Sequence, residues 1–342
     1  LGSWIVTGQK EEWANNKSAN GDRDREFKGG DRRSAAPRPK PDRPGFAVTI
    51  RTEPNAGDPM KLFRHGPSGA ERAGLVDGSG ALRDLSGVLP DLLASALGPD
   101  SMARLAALDP AVLPLLPAST RLGPCVGQVG TVIGIGLNYA DHAAEAGLQP
   151  PVQPIIFNKH RGALSGPNDD VWLPPGSCKL DWEVELGIVI GQRTFQVPER
   201  EALRHVAGYC LVNDVSERTH QTETEGQWVK GKSFPTHCPI GPWLVTPDEL
   251  GDPQNVDLWL NVNGQPRQRG NTRTMIFGVA HIVSYLSRFM ALEPGDLIAT
   301  GTPPGVGMGM KPPSYLKAAD VITLGGRGLG EQRQVVVVTA AG

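Results

Sequence analysis

Asp181-Trp182-Glu183-Val184-Glu185-Leu186-Gly187, running on into Ile188-Val189-Ile190-Gly191, is the stretch from which the fold is read. Apolar residues at 182, 184, 186, 188 and 190 repeat with a period of two, the pattern of a β-strand with one buried face. Glu183 and Glu185 then share the opposite face, with side chains roughly 6–7 Å apart for a rise of about 3.3 Å per residue. Carboxylates that close raise each other's pKa unless something positive lies between them. A water-facing strand surface is the ordinary reading of such a pair. Here the same face runs on through Gly187 and Val189 and loses its polarity, which argues for a cation site.

A third acid follows at a suitable place. Ala207 to Asn213 reads as a short apolar strand, and Asp214 stands at its end, where a side chain turns toward the rim of a sheet. An Asp that merely forms the turn is the alternative. Three carboxylates without cysteine or histidine are hard oxygen ligands, suited to Mg²⁺, with Mn²⁺ or Ca²⁺ also possible, rather than to zinc. Three protein ligands on an octahedral ion leave positions for water or a chelating substrate.

These segments, with Val212-Asn213-Asp214-Val215-Ser216, Arg218, Gln221, Gly231-Lys232-Ser233-Phe234 and Ala299-Thr300-Gly301-Thr302-Pro303-Pro304-Gly305-Val306-Gly307, resemble the fumarylacetoacetate hydrolase family over roughly 126–338. The resemblance implies a Mg²⁺ site of Glu183, Glu185 and Asp214, a homodimer, and cleavage or isomerisation of substrates carrying a 2-oxo-carboxylate. Within the family the wording of 213–245 is closest to sugar-acid (diketo-deoxy-fuconate type) hydrolases. Pro235 stands where many members place Asp, with His237 nearby.

Composition sets the outer limits. With 342 residues the chain can bury a sizeable core. A net charge of −2 offers no basic field for nucleic acid, and no apolar run approaches the roughly 20 residues of a membrane span. Four cysteines at 125, 178, 210 and 238 have no C-x-x-C spacing, so a reducing, cytoplasmic setting is expected. Gly 43 and Pro 31 point to many turns. The expected class is α+β, mainly β: mixed sheets rolled into a barrel-like or sandwich body with few helices.

Along the chain, residues 1–59 are rich in charge, Gly and Pro and poor in apolar clusters, a composition expected of a disordered, dispensable leader. Residues 60–124 are expected to form a small N-terminal module, with two strand pieces around Asp77-Gly78 and short helices over 91–97 and 101–108. The catalytic domain is expected over 125–342. Strands are expected over 132–136, 155–157, 171–173, 297–300, 321–324 and 334–339. An Asn263-Gly264 hairpin and an amphipathic helix spanning Ile276 to Met290 complete the outline.

After the 132–136 strand, Asn138 is a fitting helix N-cap and Gly147 a C-terminal stop, which sets His142 and Glu145 at i and i+3 on one helical face. Such a pair could pass a proton to and from water, and it is also common on plain surfaces. The resemblance implies the former, because acylpyruvate-cleaving members use a His-x-x-Glu after Asn-Tyr to activate water. Residues 214–242 are expected to form a long polar loop over the metal. Within it Gly226 to Ser233 matches G-x-x-x-x-G-K-S, but no apolar strand precedes it and no long helix can follow, so the nucleotide reading is rejected. Lys232 is either a solvated loop lysine or, as the resemblance implies, an active-site cation. Gln221 and Thr302 correspond to the family's substrate-orienting glutamine and carboxylate-binding threonine, with a plain Gly/Pro turn the alternative for Thr302. The partner implied is a small oxo-acid: a 2,4-dioxo acid, either an acylpyruvate or a diketo-deoxy sugar acid, hydrolysed to pyruvate and a second acid. Isomerase, decarboxylase or ureidoglycolate lyase chemistry at the same site, and a non-catalytic binder of metal and oxo-acids, are the alternatives.

Overall fold

The computed structural model describes residues 59–338 apart from Ala146 and Leu148. The expected leader therefore lies, but for Pro59, outside the described residues. The chain opens with β1 (Lys61–His65), β2 (Arg72–Val76) and β3 (Leu82–Asp84), then α1 (Pro99–Ala106), β4 (Val132–Gly136), α2 (Ala140–Glu145) and β5 (Ile155–Lys159). Short strands β6 (Leu164–Ser165), β7 (Val171–Leu173) and β8 (Leu180–Asp181) lead to β9 (Val184–Ile190). Next come α3 (Glu199–Ala202), β10 (Val206–Asn213), β11 (Ser216–Glu217), α4 (Arg218–Thr222), α5 (Val229–Lys232), β12 (Cys238–Val245) and α6 (Pro247–Leu250). The chain closes with β13 (Asp257–Val262), β14 (Gln265–Asn271), α7 (Val279–Ser287), β15 (Leu297–Ala299), β16 (Val321–Gly326) and β17 (Gly330–Val338).

The fold is mainly β with few and short helices, as the turn-rich composition predicts. A large sheet runs β3-β2-β1-β12-β10-β9-β15-β4-β5, with β6 beside β12, and a smaller one runs β14-β13-β16-β17-β7. β1 pairs with β12, so the strands of the 60–124 segment continue the large sheet. Asn263 (φ 52°) and Gly264 (φ 74°) both take left-handed conformations, as a two-residue hairpin between β13 and β14 requires.

β9 lies at the centre and departs from the one-faced expectation. Leu186, Ile188 and Ile190 join a core with Leu258, Leu260, Ile322 and Leu324 of the small sheet and Ile282, Val283 and Leu286 of α7. Val189, on the other face, packs in a second core with Leu62, Leu75, Cys210 and Leu244. Both faces are covered, each buried aliphatic side chain contributing roughly 1.5–3 kcal/mol. The glutamates are thereby drawn into the interior.

Three local expectations are corrected. The 91–97 segment supplies only a 3₁₀ turn at Ala94–Ala96. The 214–242 segment is no continuous loop: it holds β11, α4 and α5, helices of four or five residues that carry no periodic signal. Asn138 does not cap a helix. Its Nδ2 donates to the carbonyls of Phe277 (3.0 Å) and Thr300 (2.8 Å), and its Oδ1 accepts from Phe277 N (2.8 Å), which ties the end of β4 to the end of β15. Long-range backbone partners have won over the local cap.

The 233–237 segment seals one sheet edge. β7 is paired on one side with β17. On its open side Trp172 N donates to Thr236 Oγ1 (2.8 Å), and His237 Nε2 donates to the Trp172 carbonyl (2.9 Å). Burial pulls the His237 pKa down to about 3, so the ring stays neutral at ordinary pH.

Candidate active site

The antiparallel register of β9 and β10 assembles the acids. Val212 stands opposite Glu185 and Asn213 opposite Val184, and Asp214 N donates to the Glu183 carbonyl at 2.9 Å. The end of one strand therefore lies against the start of the other. Glu183, Glu185 and Asp214 each bring a carboxylate oxygen to within 4.8 Å of the other two, and all three are buried.

Cations flank the group unevenly. Lys232, at the end of α5, donates to Glu183 Oε2 (2.8 Å) and Asp214 Oδ2 (2.6 Å). Lys159, ending β5, donates to Asp214 Oδ1 (2.5 Å) and the Val215 carbonyl (3.1 Å). Arg218 Nε donates to Asp181 Oδ2 (2.8 Å), and its Nη2 forms an ion pair with Glu183 Oε1 (2.7 Å). Burial pushes the Glu183 carboxyl up, but Lys232 and Arg218 more than offset this and bring it down to about 2. For Lys232 burial works against the charge, and Asp214 and Glu183 overcome it and raise its pKa.

Glu185 is the exception. It accepts from Gly301 N (2.8 Å) and has no ion-pair partner among the described residues. Burial, then the charges of Asp214 and Glu183, push its carboxyl well above the usual carboxylate range. Among the described residues Asp181, Glu183, Glu185 and Asp214 face only Lys159, Arg218 and Lys232, leaving one buried acid uncompensated. The donors are all oxygen, and a hard divalent ion among the three acids would give Glu185 the cation it lacks, turning a net charge of −1 into +1. The residues fit such an ion.

Asp181 ties the surroundings together. Its Oδ1 accepts from Trp182 N (2.9 Å) and Gly307 N (2.7 Å), and its Oδ2 from Met308 N (2.9 Å) and Arg218 Nε. One fully buried carboxylate thus fastens the acidic segment, α4 and the 305–309 turn to one another.

A cavity of about 190 Å³ opens beside Glu183 and Glu185 and is also lined by His142, Gln221, Lys232 and Thr302. His142 and Glu145 pair at 3.1 Å (Nδ1 to Oε2), as the i, i+3 spacing predicts, and both Glu145 oxygens accept from Gly305 N at 3.1 Å. Gln221 Oε1 accepts from Arg218 Nη1 at 2.8 Å. The Thr302 hydroxyl donates to the Val184 carbonyl (2.9 Å) and accepts from Gln268 Nε2 (2.7 Å). It must release Val184 before it can donate to a ligand.

Of the eight residues singled out from sequence, His142, Glu183, Glu185, Gln221, Lys232 and Thr302 line one cavity, Asp214 joins the two glutamates beneath it, and Glu145 stands behind His142. The sequence assigns no role to Lys159, Asp181 or Arg218. The available signals were a lysine ending an apolar strand and an acid two places before the Glu-x-Glu pair. Neither says which distant partner it meets.

Residues 131–337 match the family model for the fumarylacetoacetate (FAA) hydrolase C-terminal domain. A protein of Burkholderia cenocepacia (strain HI2424), provisionally named a hydrolase, is 59% identical over 276 residues, covering 80% of this chain and 98% of that one. Among solved structures, a fumarylacetoacetate hydrolase from Exiguobacterium antarcticum aligns with a TM-score of 0.73 and 36% identity, over 82% of this chain and 100% of that one. A 5-carboxymethyl-2-hydroxymuconate delta-isomerase from Mycobacterium smegmatis aligns at 0.66 and 32%, with the same coverage. Maleylpyruvate hydrolase from Sphingobium sp. SYK-6, solved in complex with manganese(II) and pyruvate, aligns at 0.68 and 29%, again over 82% and 100%. The chain belongs to the fumarylacetoacetate hydrolase family.

Proposed function

We propose that this enzyme is a divalent-metal-dependent hydrolase that cleaves a carbon–carbon bond in a 2,4-dioxo acid and releases pyruvate. The observation that carries the reading is the meeting of a buried three-carboxylate cluster with the His142–Glu145 pair on one cavity. The manganese and pyruvate held by the maleylpyruvate hydrolase support it. Mg²⁺ is the proposed physiological ion, held by Glu183, Glu185 and Asp214. When bound, the ion supplies Lewis-acid polarisation of the 2-oxo-carboxylate end.

The remaining work falls to side chains. With its Nδ1–H given to Glu145, His142 presents Nε2 as a base that takes a proton from water. The resulting hydroxide adds to the 4-carbonyl, and the bond between C3 and C4 breaks. C4 leaves as a carboxylic acid, while the electron pair passes to C3 as the pyruvate enolate. Protonation of C3 by His142 completes pyruvate, so one water is consumed and the base is regenerated. Lys232 stabilises the negative charge that develops as the bond breaks. Gln221, its oxygen occupied by Arg218, has amide N–H groups to orient the substrate, and Thr302 binds its carboxylate once it releases Val184.

Pyruvate release from a panel of acylpyruvates, measured with Mg²⁺ and with chelator, tests the proposal. Turnover that is lost with chelator supports it; tight metal binding with no turnover on any member favours an oxo-acid binding protein. The isomerase reading, favoured by the muconate isomerase neighbour, is separated by His142→Ala. A hydrolase loses activity in this variant while keeping its metal, whereas an isomerase tolerates the change. By the same reading the protein acts as a cytoplasmic homodimer on a small oxo-acid.

A further inference from the structure

The aromatic part of the cavity lining carries information about the rest of the substrate. β4 places Gly134 and Gly136 two residues apart on one face of the strand. Gly134 stands directly opposite Phe157 of β5, and a Cβ on Gly134 would collide with the Phe157 ring, 2.1 Å from its Cζ. A Cβ on Gly136 would collide in the same way with the Trp228 ring. The two rings pack on each other with centroids 5.4 Å apart, so the glycines form a seat for an aromatic pair. Ile135, Leu137 and Met308 extend this apolar lining. Leu137 holds a left-handed φ of 52°, a conformation that costs a branched side chain of order 1 kcal/mol or more and is kept only where its surroundings impose it.

The cations of the same cavity are ion-paired with its acidic floor, at the end where the substrate's 2-oxo-carboxylate is proposed to bind. Arg218 is held by Asp181, Glu183 and Gln221, and Lys232 by Glu183 and Asp214 with its ammonium 4.9 Å from the Phe157 ring centroid. His142 is held by Glu145. A second carboxylate on the substrate would face the aromatic wall, find no uncommitted Lys or Arg among the described lining residues, and sit near acids. A polyhydroxylated tail would leave hydroxyls against Phe157 and Trp228, which offer few partners.

Resting on the oxo-acid reading above, we infer that the substrate carries a single carboxylate, next to its 2-oxo group, and an uncharged apolar acyl group seated on Phe157 and Trp228. The sugar-acid expectation from the wording of 213–245 is set aside by this lining. Trp228 is a specificity residue, and the glycines of β4 are positioning residues acting through the rings.

The test uses the full chain loaded with Mn²⁺ and three six-carbon ligands read by titration calorimetry: 2-oxohexanoate, 2-oxoadipate and a 2-oxo-3-deoxy-hexonate. Pyruvate serves as reference. The expected result is that 2-oxohexanoate binds at least about 100-fold tighter than 2-oxoadipate and tighter than the hexonate. Equal or tighter binding of either polar ligand overturns the inference while leaving the oxo-acid reading intact. Failure of pyruvate and all three to bind brings down the oxo-acid reading itself, and the inference with it. Trp228 is only half-buried, and Trp228→Ala is expected to weaken 2-oxohexanoate about tenfold while pyruvate binding persists as proof of a folded site. An unchanged preference in that variant overturns the role of the wall. Met308→Arg, at a position 41% exposed, is expected to narrow the gap by favouring 2-oxoadipate.

Discussion

Glu183 and Glu185 of the acidic cluster and His142 of the His142–Glu145 pair line the same cavity, but cluster and pair are held in different ways. Asp214 is fully buried, with a lysine on each carboxylate oxygen and its backbone joined to Glu183 across the β9–β10 ladder. Glu145 sits on a six-residue helix with its side chain 27% exposed, tied only to His142 and to the 305–309 turn. In the proposed mechanism the acids hold a divalent charge, which gains from a rigid, water-poor setting, while the buried His142 takes and returns a proton with a partly exposed Glu145 behind it. On that proposal the two tasks fall to separately held parts of the fold.

The sharpest way to break this contrast is at the floor. Asp214→Asn should abolish turnover and weaken Mn²⁺ binding by more than about 100-fold, exceeding the usual cost of altering a residue one layer out from a metal. Calorimetry with the ion alone reads the second effect, and unaltered affinity would remove Asp214 from the ligand set. At the rim, His142→Ala should lower kcat by about 100- to 10,000-fold with Mn²⁺ affinity unchanged. Loss of metal binding in that variant would erase the distinction between the two regions.

Asp181 joins the regions, so its substitution reads their coupling. Asp181→Asn leaves Arg218 short of a buried partner and should cost about 3–5 kcal/mol in urea unfolding. Near neutral pH a smaller effect comes from His237, which acts only as the solution is acidified. Its pKa of about 3 lies below the 6.5 of an unperturbed histidine, so the unfolded chain binds the proton first as pH falls. The stabilisation is complete above pH 6.5 and is lost progressively between 6.5 and about 3, by up to about 1.4 kcal/mol per pH unit. His237→Gln should flatten that part of a stability-against-pH curve. Least of all, we propose that a chain begun at Met60 keeps the activity and stability of the whole; a clear loss of either would give residues 1–59 a role.

The floor was far more legible than the rim. A period of two along 182–190 and an acid ending the next apolar strand are local patterns, and the β9–β10 register needed only those two strands to bring Glu183, Glu185 and Asp214 together. The second covered face of β9 was not legible, because its cover includes Leu62 and Leu75 from more than a hundred residues upstream. Lys159 receives no role from the sequence for the same reason: its partner lies 55 residues away, and nothing near it in sequence shows that it ends inside the protein. Asn138 misled for the opposite reason, its local capping chemistry being genuine but outcompeted by carbonyls at 277 and 300. In 214–242, helices of four or five residues are too short for any periodicity to show.

The side chains that cover the outer edge of β7 have a consequence beyond the site. An unpaired strand edge is a template on which another molecule can add a strand, and proteins commonly hide such edges. Here the cover is Thr236 and His237, only a few residues beyond Lys232. Any event that pulls this segment away from the interior uncovers Trp172 and its neighbours at the same moment. Damage near the lysine should therefore show first as clumping of the protein on storage or mild warming, before the sheets themselves come apart.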